Sequence, residues 1–229
     1  MAGPQTPSEG SGSAGSQTEI ARICATCIDD VHVDGGGVSV LTSRGFSGTV
    51  WVSDAIAGRV EELQFSLGEG PCFDAVATRE PVLVPDLGAP GGRADRWAGF
   101  RAEAMSSGIG AIFGLPLNVG AFTLGAFDLY RRQPGPLTRD ELHRARDAAE
   151  ATSNALLDLK PEQAVTEPPG GTYHWVVHQA AGMITQQLDV PIKDAMVHLR
   201  ATAFTDGISI DELAAQVVDR SRRLWKEDS

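Results

Sequence analysis

The feature that most limits how this chain can fold is an uncharged stretch between Ala104 and Phe127. Such a stretch is long enough to cross a bilayer as a helix. Glycines and a proline interrupt it, however, and the run Leu117-Asn118-Val119-Gly120 marks a turn near its middle. Two apolar runs around an Asn/Gly turn are typical of a buried β-hairpin. We therefore predict a hairpin that ends at Tyr130, and no membrane segment.

The patterns on both sides of this hairpin predict an α+β fold. Apolar residues at helical spacing predict four helices, which are Gln17–Asp30, Ala55–Leu67, Phe73–Thr78 and Asp95–Ser107. Gly35-Gly36-Gly37 is expected to end the first helix. β-branched and aromatic residues predict three strands, which are Val38–Leu41, Thr49–Ser53 and Val82–Val84. Thr138 can cap a long closing helix that reaches about Leu159. This order predicts helices packed on one antiparallel sheet.

Composition shifts divide the chain into four parts. Residues 1–17 are rich in Gly, Ser and Pro and predict a disordered tail without the apolar core of a secretory signal. The α+β domain takes residues 18–160, and prolines and glycines in 161–171 predict a linker. Residues 172–229 predict an all-α unit of three helices, in which Thr172, Pro191 and Ser209 begin the helices. So small a unit needs a partner, which we expect to be the long Thr138–Leu159 helix or a second chain.

Charge and cysteine content limit the classes of function. The net charge of -11 argues against a generally basic nucleic-acid binder, so any RNA contact must come from a local basic patch. The three cysteines are few and odd in number, which suits a reducing cytoplasm. Cys24 and Cys27 have CxxC spacing but no second ligand pair, so we predict no metal site.

Two blocks of sequence resemble known families. The segment Leu67–Ala75 (LGEGPCFDA), followed by Glu80–Leu87 (EPVLVPDL), resembles the middle of a GAF domain, as found in the GAF–ANTAR regulators of actinobacteria. The C-terminal block resembles an ANTAR domain through Ala180, Gly182, Met183, Ala195, Leu199 and Ala214. The resemblance implies a GAF sensor that controls an RNA-binding output, which acts as a homodimer on RNA hairpins to relieve transcription termination.

Basic residues of the C-terminal unit are the candidate RNA contacts, and they are Lys193, Arg200, Arg220, Arg223 and Lys226. Arg220, Arg223 and Lys226 recur every three residues, which predicts one face of the last helix. Arg200 also matches the family motif. The alternative is a solvated helix end, where cations meet the helix dipole favourably.

Several positions depart from the ANTAR pattern. Where the family usually has a lysine this chain has Ala181, and Ser209 and Asp211 stand where it is commonly basic. These residues remove positive charge from the expected RNA face. They favour the alternative that the helical unit is a dimerisation or protein-interaction module.

The candidate signal site comprises Cys72, Trp51, Trp97 and Phe113. Cys72 precedes a short helix, whose N-terminus would lower the thiol pKa and permit redox sensing; the alternative is a small buried apolar residue. The three aromatic residues could line a ligand pocket between the sheet and its helices, or could pack in the core. No set of residues in the sequence identifies the small molecule or any cofactor.

We therefore expect a signal-responsive regulator of transcription rather than an enzyme. A less favoured alternative is a GAF-type free methionine sulfoxide reductase, because Cys72 resembles one of its cysteines in context. That reaction needs a resolving thiol, and nothing in the sequence places Cys24 or Cys27 beside Cys72.

Overall fold

A computed structural model describes residues 12–42, 45–159 and 174–224. One antiparallel sheet has the strand order β2-β1-β5-β4-β3, with β1 at Gly35–Thr42, β2 at Gly45–Val52, β3 at Val82–Val84, β4 at Ala111–Val119 and β5 at Phe122–Arg131. Eight α-helices are α1 Gly12–Val31, α2 Ala55–Leu67, α3 Pro71–Thr78, α4 Ala98–Ser106, α5 Arg139–Leu157, α6 Trp175–Leu188, α7 Ile192–Asp206 and α8 Ile210–Val218 within these ranges. The predicted α+β domain is confirmed in its sheet and helices.

The predicted hairpin is confirmed as β4 and β5. The two strands pair from Ala111 with Arg131 to Val119 with Phe122. Gly120, in the turn between them, has a φ of 56°, a conformation that glycine adopts without steric cost. Among the described residues no helix is both long and apolar enough to span a bilayer.

Alternation along the strands gives the sheet two different faces. Phe113 and Leu115 of β4 and Phe127 and Leu129 of β5 pack in one core with residues of α1 and α5. Their neighbour Ile112 points the other way and packs with residues of α2, α3 and α4. Each face is therefore covered by helices, as expected for side chains that alternate across a strand.

Four local predictions need correction. Helix α1 begins at Gly12, inside the segment predicted as a tail. The three glycines at 35–37 belong to β1, because the sheet supplies hydrogen-bond partners for an extended backbone there. The helix predicted over Asp95–Ser107 is a 3₁₀ turn at Arg93–Arg96 and then α4, since Trp97 at their junction has a non-helical backbone. The last helix ends at Val218, so it stops before Arg220 and Arg223.

The C-terminal helices α6, α7 and α8 pack around a shared apolar core. Ser209 caps α8 as predicted, since its Oγ accepts a hydrogen bond from the backbone N–H of Glu212 at 3.1 Å. The same core includes Leu41 of β1 and Phe65 of α2, and Phe73 and Val76 of α3 pack against it. The described contacts thus join the unit to α2 and α3 of the preceding domain, rather than to α5. The predicted linker 161–171 and the predicted cap Thr172 lie outside the described residues.

Candidate functional site

A cluster of buried polar side chains lies between the sheet and α2. It comprises Ser39 of β1, Glu61 and Gln64 of α2, and Asp128 of β5, each no more than 2% exposed. The Gln64 amide donates from Nε2 to Asp128 Oδ2 at 2.7 Å. Its Oε1 accepts a hydrogen bond from the backbone N–H of Cys72 at 2.8 Å, and the Ser39 hydroxyl donates to Glu61 Oε2. Gln64 therefore orients both Asp128 and the start of α3.

Glycines on both neighbouring strands make room for the two carboxyl groups. Asp128 pairs across the sheet with Gly37 on one side and Gly114 on the other. A Cβ atom on Gly37 would come within 2.6 Å of Glu61 Oε1, so no larger residue fits while Glu61 stays in place. The space around the two carboxyl groups is closed by Gly37 and by neighbouring side chains, and it leaves no room for a water molecule.

The two carboxyl groups hold protons more tightly than ordinary acids. Burial, with the nearby Asp128 carboxyl, raises the pKa of Glu61 well above its usual range. Burial also raises the pKa of Asp128 to about 7. Glu61 Oε1 and Asp128 Oδ1 are buried without a hydrogen-bond partner among the described residues. Chemically, this arrangement can bind and release a proton.

Another side of α2 contacts the C-terminal helices. Glu62 and Phe65 of α2 meet His174, which directly precedes α6. The His174 ring stacks on Phe65 with centroids 3.5 Å apart. Its Nε2 lies 3.2 Å from Glu62 Oε2, and its Nδ1 lies 3.1 Å from the Asp211 carboxylate of α8. Burial disfavours the imidazolium, but the bonds to Asp211 and Glu62 outweigh it and raise the pKa of His174 to about 9. We call these four residues the His174 junction.

The His174 junction fits a bridging imidazolium better than a metal ion. The three polar groups of Glu62, His174 and Asp211 lie within 4.8 Å of one another, close enough for metal ligands. The imidazole, however, directs a different nitrogen at each carboxylate. A metal would bind only one of those nitrogens and the carboxylate beside it, because the other nitrogen holds the second carboxylate. Two protein ligands are fewer than the three or four of a usual protein zinc site. A protonated imidazole satisfies both carboxylates at once.

Arg200 of α7 also faces the first domain. Its Nε donates to the backbone carbonyl of Phe65 at 3.0 Å, and its guanidinium carbon lies 5.9 Å from the Phe65 ring centroid and 5.8 Å from that of Phe73. Burial lowers the pKa of Arg200 to about 10, so the group stays charged at neutral pH. The strongest RNA candidate of the sequence is thus held against α2 in this arrangement.

The other basic candidates are dispersed. Lys193 on α7 is exposed, and Arg220 and Arg223 are exposed beyond the end of α8. Arg220 has a φ of 64°, which is not helical. The prediction that these basic residues share one face of the last helix is therefore wrong for Arg220 and Arg223, because α8 ends at Val218. Lys226 itself lies outside the described residues.

The residues that carry the ANTAR resemblance mainly build the C-terminal core. Ala180, Ala195, Leu199 and Ala214 are buried there, while Met183 is partly buried against it and Gly182 is exposed. Ala181, where the family usually has lysine, is fully buried as well. These small residues allow the helices to approach closely.

The predicted signal-site residues do not meet in one pocket. Trp51 and Phe113 pack with the core on the α1 and α5 side of the sheet. Trp97 is buried on the opposite side, where its ring meets Phe100 edge-on at 6.1 Å. The prediction of a common aromatic pocket is wrong, because alternation along β4 points Phe113 away from Trp97.

Cys72 lies beside the polar cluster but is not activated. It is fully buried, and burial together with the Asp128 and Glu61 carboxyls raises its pKa well above the usual range. The expected lowering by the helix N-terminus is therefore outweighed. Cys24 and Cys27 are buried in the core on the opposite side of the sheet.

Sequence reasoning missed Ser39, Glu61, Gln64 and Asp128. One signal was available: Glu61 lies among apolar residues on the buried face of α2, and Asp128 directly follows the uncharged stretch. Acids in such places are almost never fully buried unless they are paired or protonated. His174 carried no comparable signal, because its partners come from distant segments.

Comparisons with known proteins identify the first domain. The GAF domain family matches residues 17–156. The GAF domain region of a Geobacter sulfurreducens PCA protein superposes with a TM-score of 0.51 at 15% identity, covering 63% of this chain and 94% of that one. At this identity the likeness shows the fold alone.

Two further solved structures are similar over the same part of the chain. A type II free methionine-R-sulfoxide reductase from Thermoplasma acidophilum has a TM-score of 0.49 at 13% identity, covering 64% of this chain and 95% of that one. The GAF-B domain of DevS from Mycobacterium smegmatis has 0.44 at 19% identity, covering 62% and 93%. No curated protein sequence matches this chain.

The acid pair predicts a characteristic pH dependence of stability. Because both pKa values are raised on folding, the folded chain keeps protons that the unfolded chain releases, so stability falls as pH rises from about 4 through about 7. The substitution Glu61→Gln removes one acid, and its side-chain amide can donate a hydrogen bond to Asp128. We expect it to raise the free energy of unfolding by about 1–3 kcal/mol at about pH 8, with little effect at about pH 4. Urea unfolding at the two pH values measures this, with exposed Glu150→Gln as the control. An equal response in both variants would contradict the raised pKa values of the acid pair.

Burial of Cys72 predicts low thiol reactivity. We expect iodoacetamide to modify Cys72 at least about tenfold more slowly in the folded chain than in denaturant, since the thiolate is scarce and inaccessible. Peptide mass spectrometry over a time course reports the rate at each cysteine. Labelling of Cys72 as fast as in the unfolded chain would support the hypothesis that Cys72 is a redox-sensing thiol.

The His174 junction predicts a weakening of the domain contact at high pH. Its pKa is raised on folding, so its contribution is complete below about pH 6.5 and is lost as pH rises through about 9. We expect hydrogen exchange at the start of α6 to accelerate over this range, beyond the intrinsic rate, and His174→Gln to remove the dependence. His143→Gln, on an exposed part of α5, is the control. Exchange that follows only the intrinsic rate in the wild type would contradict this assignment.

Proposed function

We propose, from the premise that this chain belongs to the GAF domain family, that it is a signal-responsive regulator in which the GAF domain controls the C-terminal helices. GAF domains are sensory domains of signalling proteins, and the match over residues 17–156 takes in the whole sheet, the helices α2 to α4 and most of α1 and α5. The observation that carries the proposal is the double role of α2. Its buried side holds the polar cluster, and its other side holds the His174 junction.

Adjacent residues of α2 connect the two places. Glu61 contacts Ser39 and interacts with Asp128, while the next residue, Glu62, binds His174. Gln64 binds Asp128, while the next residue, Phe65, stacks on His174 and binds Arg200 through its carbonyl. A shift or rotation of α2 that follows a change in the polar cluster therefore alters every one of these contacts. The signal would act by shifting the population between docked and released C-terminal helices.

For the output we propose RNA binding of ANTAR type in antitermination, by a homodimer in the cytoplasm. The order and spacing of the ANTAR-like blocks support this proposal. In the docked arrangement Arg200 is turned toward Phe65, so release would return its positive charge to the surface. RNA affinity should then depend on the released population and on salt concentration.

A second candidate output is protein interaction or dimerisation without RNA. The observation that favours it is the buried Ala181, which occupies the position of a usual lysine. Acidic residues also outnumber basic ones in the whole chain, 30 to 19.

We do not favour an enzyme. A reductase cycle needs a second thiol within reach of the first. Here the sheet separates Cys72 from Cys24 and Cys27, and all three thiols are buried.

The test of the proposed output uses a variant that weakens the His174 junction without touching either core. Glu62→Gln/Asp211→Asn removes both partners of the imidazolium, and both residues are partly exposed. We expect this variant to bind a two-hairpin RNA at least about fivefold more tightly than the wild type does, because more of the population is released. Fluorescence anisotropy at low and moderate salt measures the affinity.

Two comparisons make this result decisive. Adding Arg200→Ala to the variant should abolish the gain, and Asp147→Asn, an exposed acid on α5, should leave wild-type affinity unchanged. Absence of RNA binding in every variant at low salt, with a dimer present by light scattering, would overturn the RNA output in favour of protein interaction.

A further inference from the structure

A pocket of about 440 Å³ opens between the GAF domain and α7. The GAF domain contributes Ser66 to Glu69, at the end of α2, and Gly99 of α4. Helix α7 contributes Arg200 and three neighbours. The volume is within the range of sites that bind small molecules. This pocket is separate from the polar cluster, because none of its lining residues belongs to that cluster.

Arg200 brings an incompletely satisfied cation to this pocket. Its Nε is used by the Phe65 carbonyl, but no described residue accepts a hydrogen bond from Nη1 or Nη2. No carboxylate forms an ion pair with it among the described residues. Gly68 keeps the approach open, since a Cβ there would come within 2.7 Å of Nη1. Gly68 ends α2 with a φ of 69°, so a larger residue is disfavoured by the backbone as well.

The walls beside this cation are apolar and unusually exposed. Phe204 is 81% exposed and Val197 is 56% exposed, although both are large apolar residues. Leu67 completes this side of the pocket. Exposed apolar groups next to a charged group with free donors are the composition of a site for an amphipathic molecule.

We propose that this interdomain pocket binds a small anionic molecule with an apolar body, whose carboxylate or phosphate lies on Arg200 and whose apolar part covers Val197 and Phe204. A guanidinium binds such anions through two parallel hydrogen bonds. The anion compensates a partly buried charge that has no carboxylate partner among the described residues. Because the pocket has walls from both parts, the bound ligand stabilises the docked arrangement. The site does not depend on what the C-terminal helices bind.

The size and charge of the surroundings favour a small molecule over a polyanion. The pocket is concave and of limited volume, and the Glu69 carboxylate lies in its wall. The chain carries a net charge of -11, which repels an extended polyanion. A single anionic group next to an apolar body meets the guanidinium without approaching many acidic residues.

Three probes of one shape test the proposal on the full chain. They are 2-naphthoate, 2-naphthyl phosphate and the neutral 2-naphthalenemethanol, followed by ¹⁵N amide shifts. We expect at least one anion to bind saturably and at least about tenfold more tightly than the neutral probe, with shifts at Gly68, Gly99 and Ala201. The preference between carboxylate and phosphate identifies the natural anionic group.

Single substitutions test which pocket residues contribute to the affinity for the probes. Arg200→Gln should reduce the affinity for the anion to that for the neutral probe, and Phe204→Ala should weaken both by about threefold or more. Arg223→Gln removes an exposed cation outside the pocket and should change neither. Because Phe204 is largely exposed, its variant remains informative if Arg200→Gln releases the helices. Equal affinities for anionic and neutral probes, shifts elsewhere, or no effect of Phe204→Ala would overturn the proposal.

Discussion

A carboxyl group inside a protein is costly unless it is protonated, paired or hydrogen-bonded, and α2 places one such group against the sheet. Asp128 raises the cost of ionising Glu61, and burial raises the cost of ionising Asp128. Gln64 and Ser39 satisfy one oxygen of each carboxyl. The arrangement requires glycine at 37 and 114 in the strands that flank Asp128. Helix position, strand register and small residues in the sheet are therefore tied to a single acid pair.

The same helix carries the contact with the C-terminal unit. Phe65 is fully buried although it lies outside the GAF core, because α6 and α7 cover it. Its ring receives His174 on one face, and its carbonyl receives Arg200. A helix that buries acids on one side and an aromatic residue on the other has little freedom to move without disturbing both environments. This rigidity suits α2 as the connecting element between signal and output.

Two cations occupy the domain contact, the buried His174 and the partly buried Arg200, and they differ in how their charges are satisfied. His174 meets carboxylates on both sides, so its charge is matched. Arg200 meets a carbonyl and two aromatic rings, so its charge is stabilised only in part. A cation in the second situation favours an incoming anion, whereas the first holds the two parts together. One contact region can thus combine a structural clamp with a place for a ligand.

The amino-acid sequence by itself determined the features that depend on local interactions. The bounds of α2 and β3 were predicted to the residue, and the caps Thr138 and Ser209 act as predicted, because helix ends and short strands depend on neighbouring side chains. The hairpin was predicted from the Asn/Gly turn between two apolar runs. The GAF family was predicted from two short sequence segments. The tertiary structure alone decided that Asp128 meets Glu61, that Phe113 and Trp97 lie on opposite sides of the sheet, and that Arg200 faces Phe65. Each of these depends on strand register and on the packing of distant segments, which no local pattern specifies.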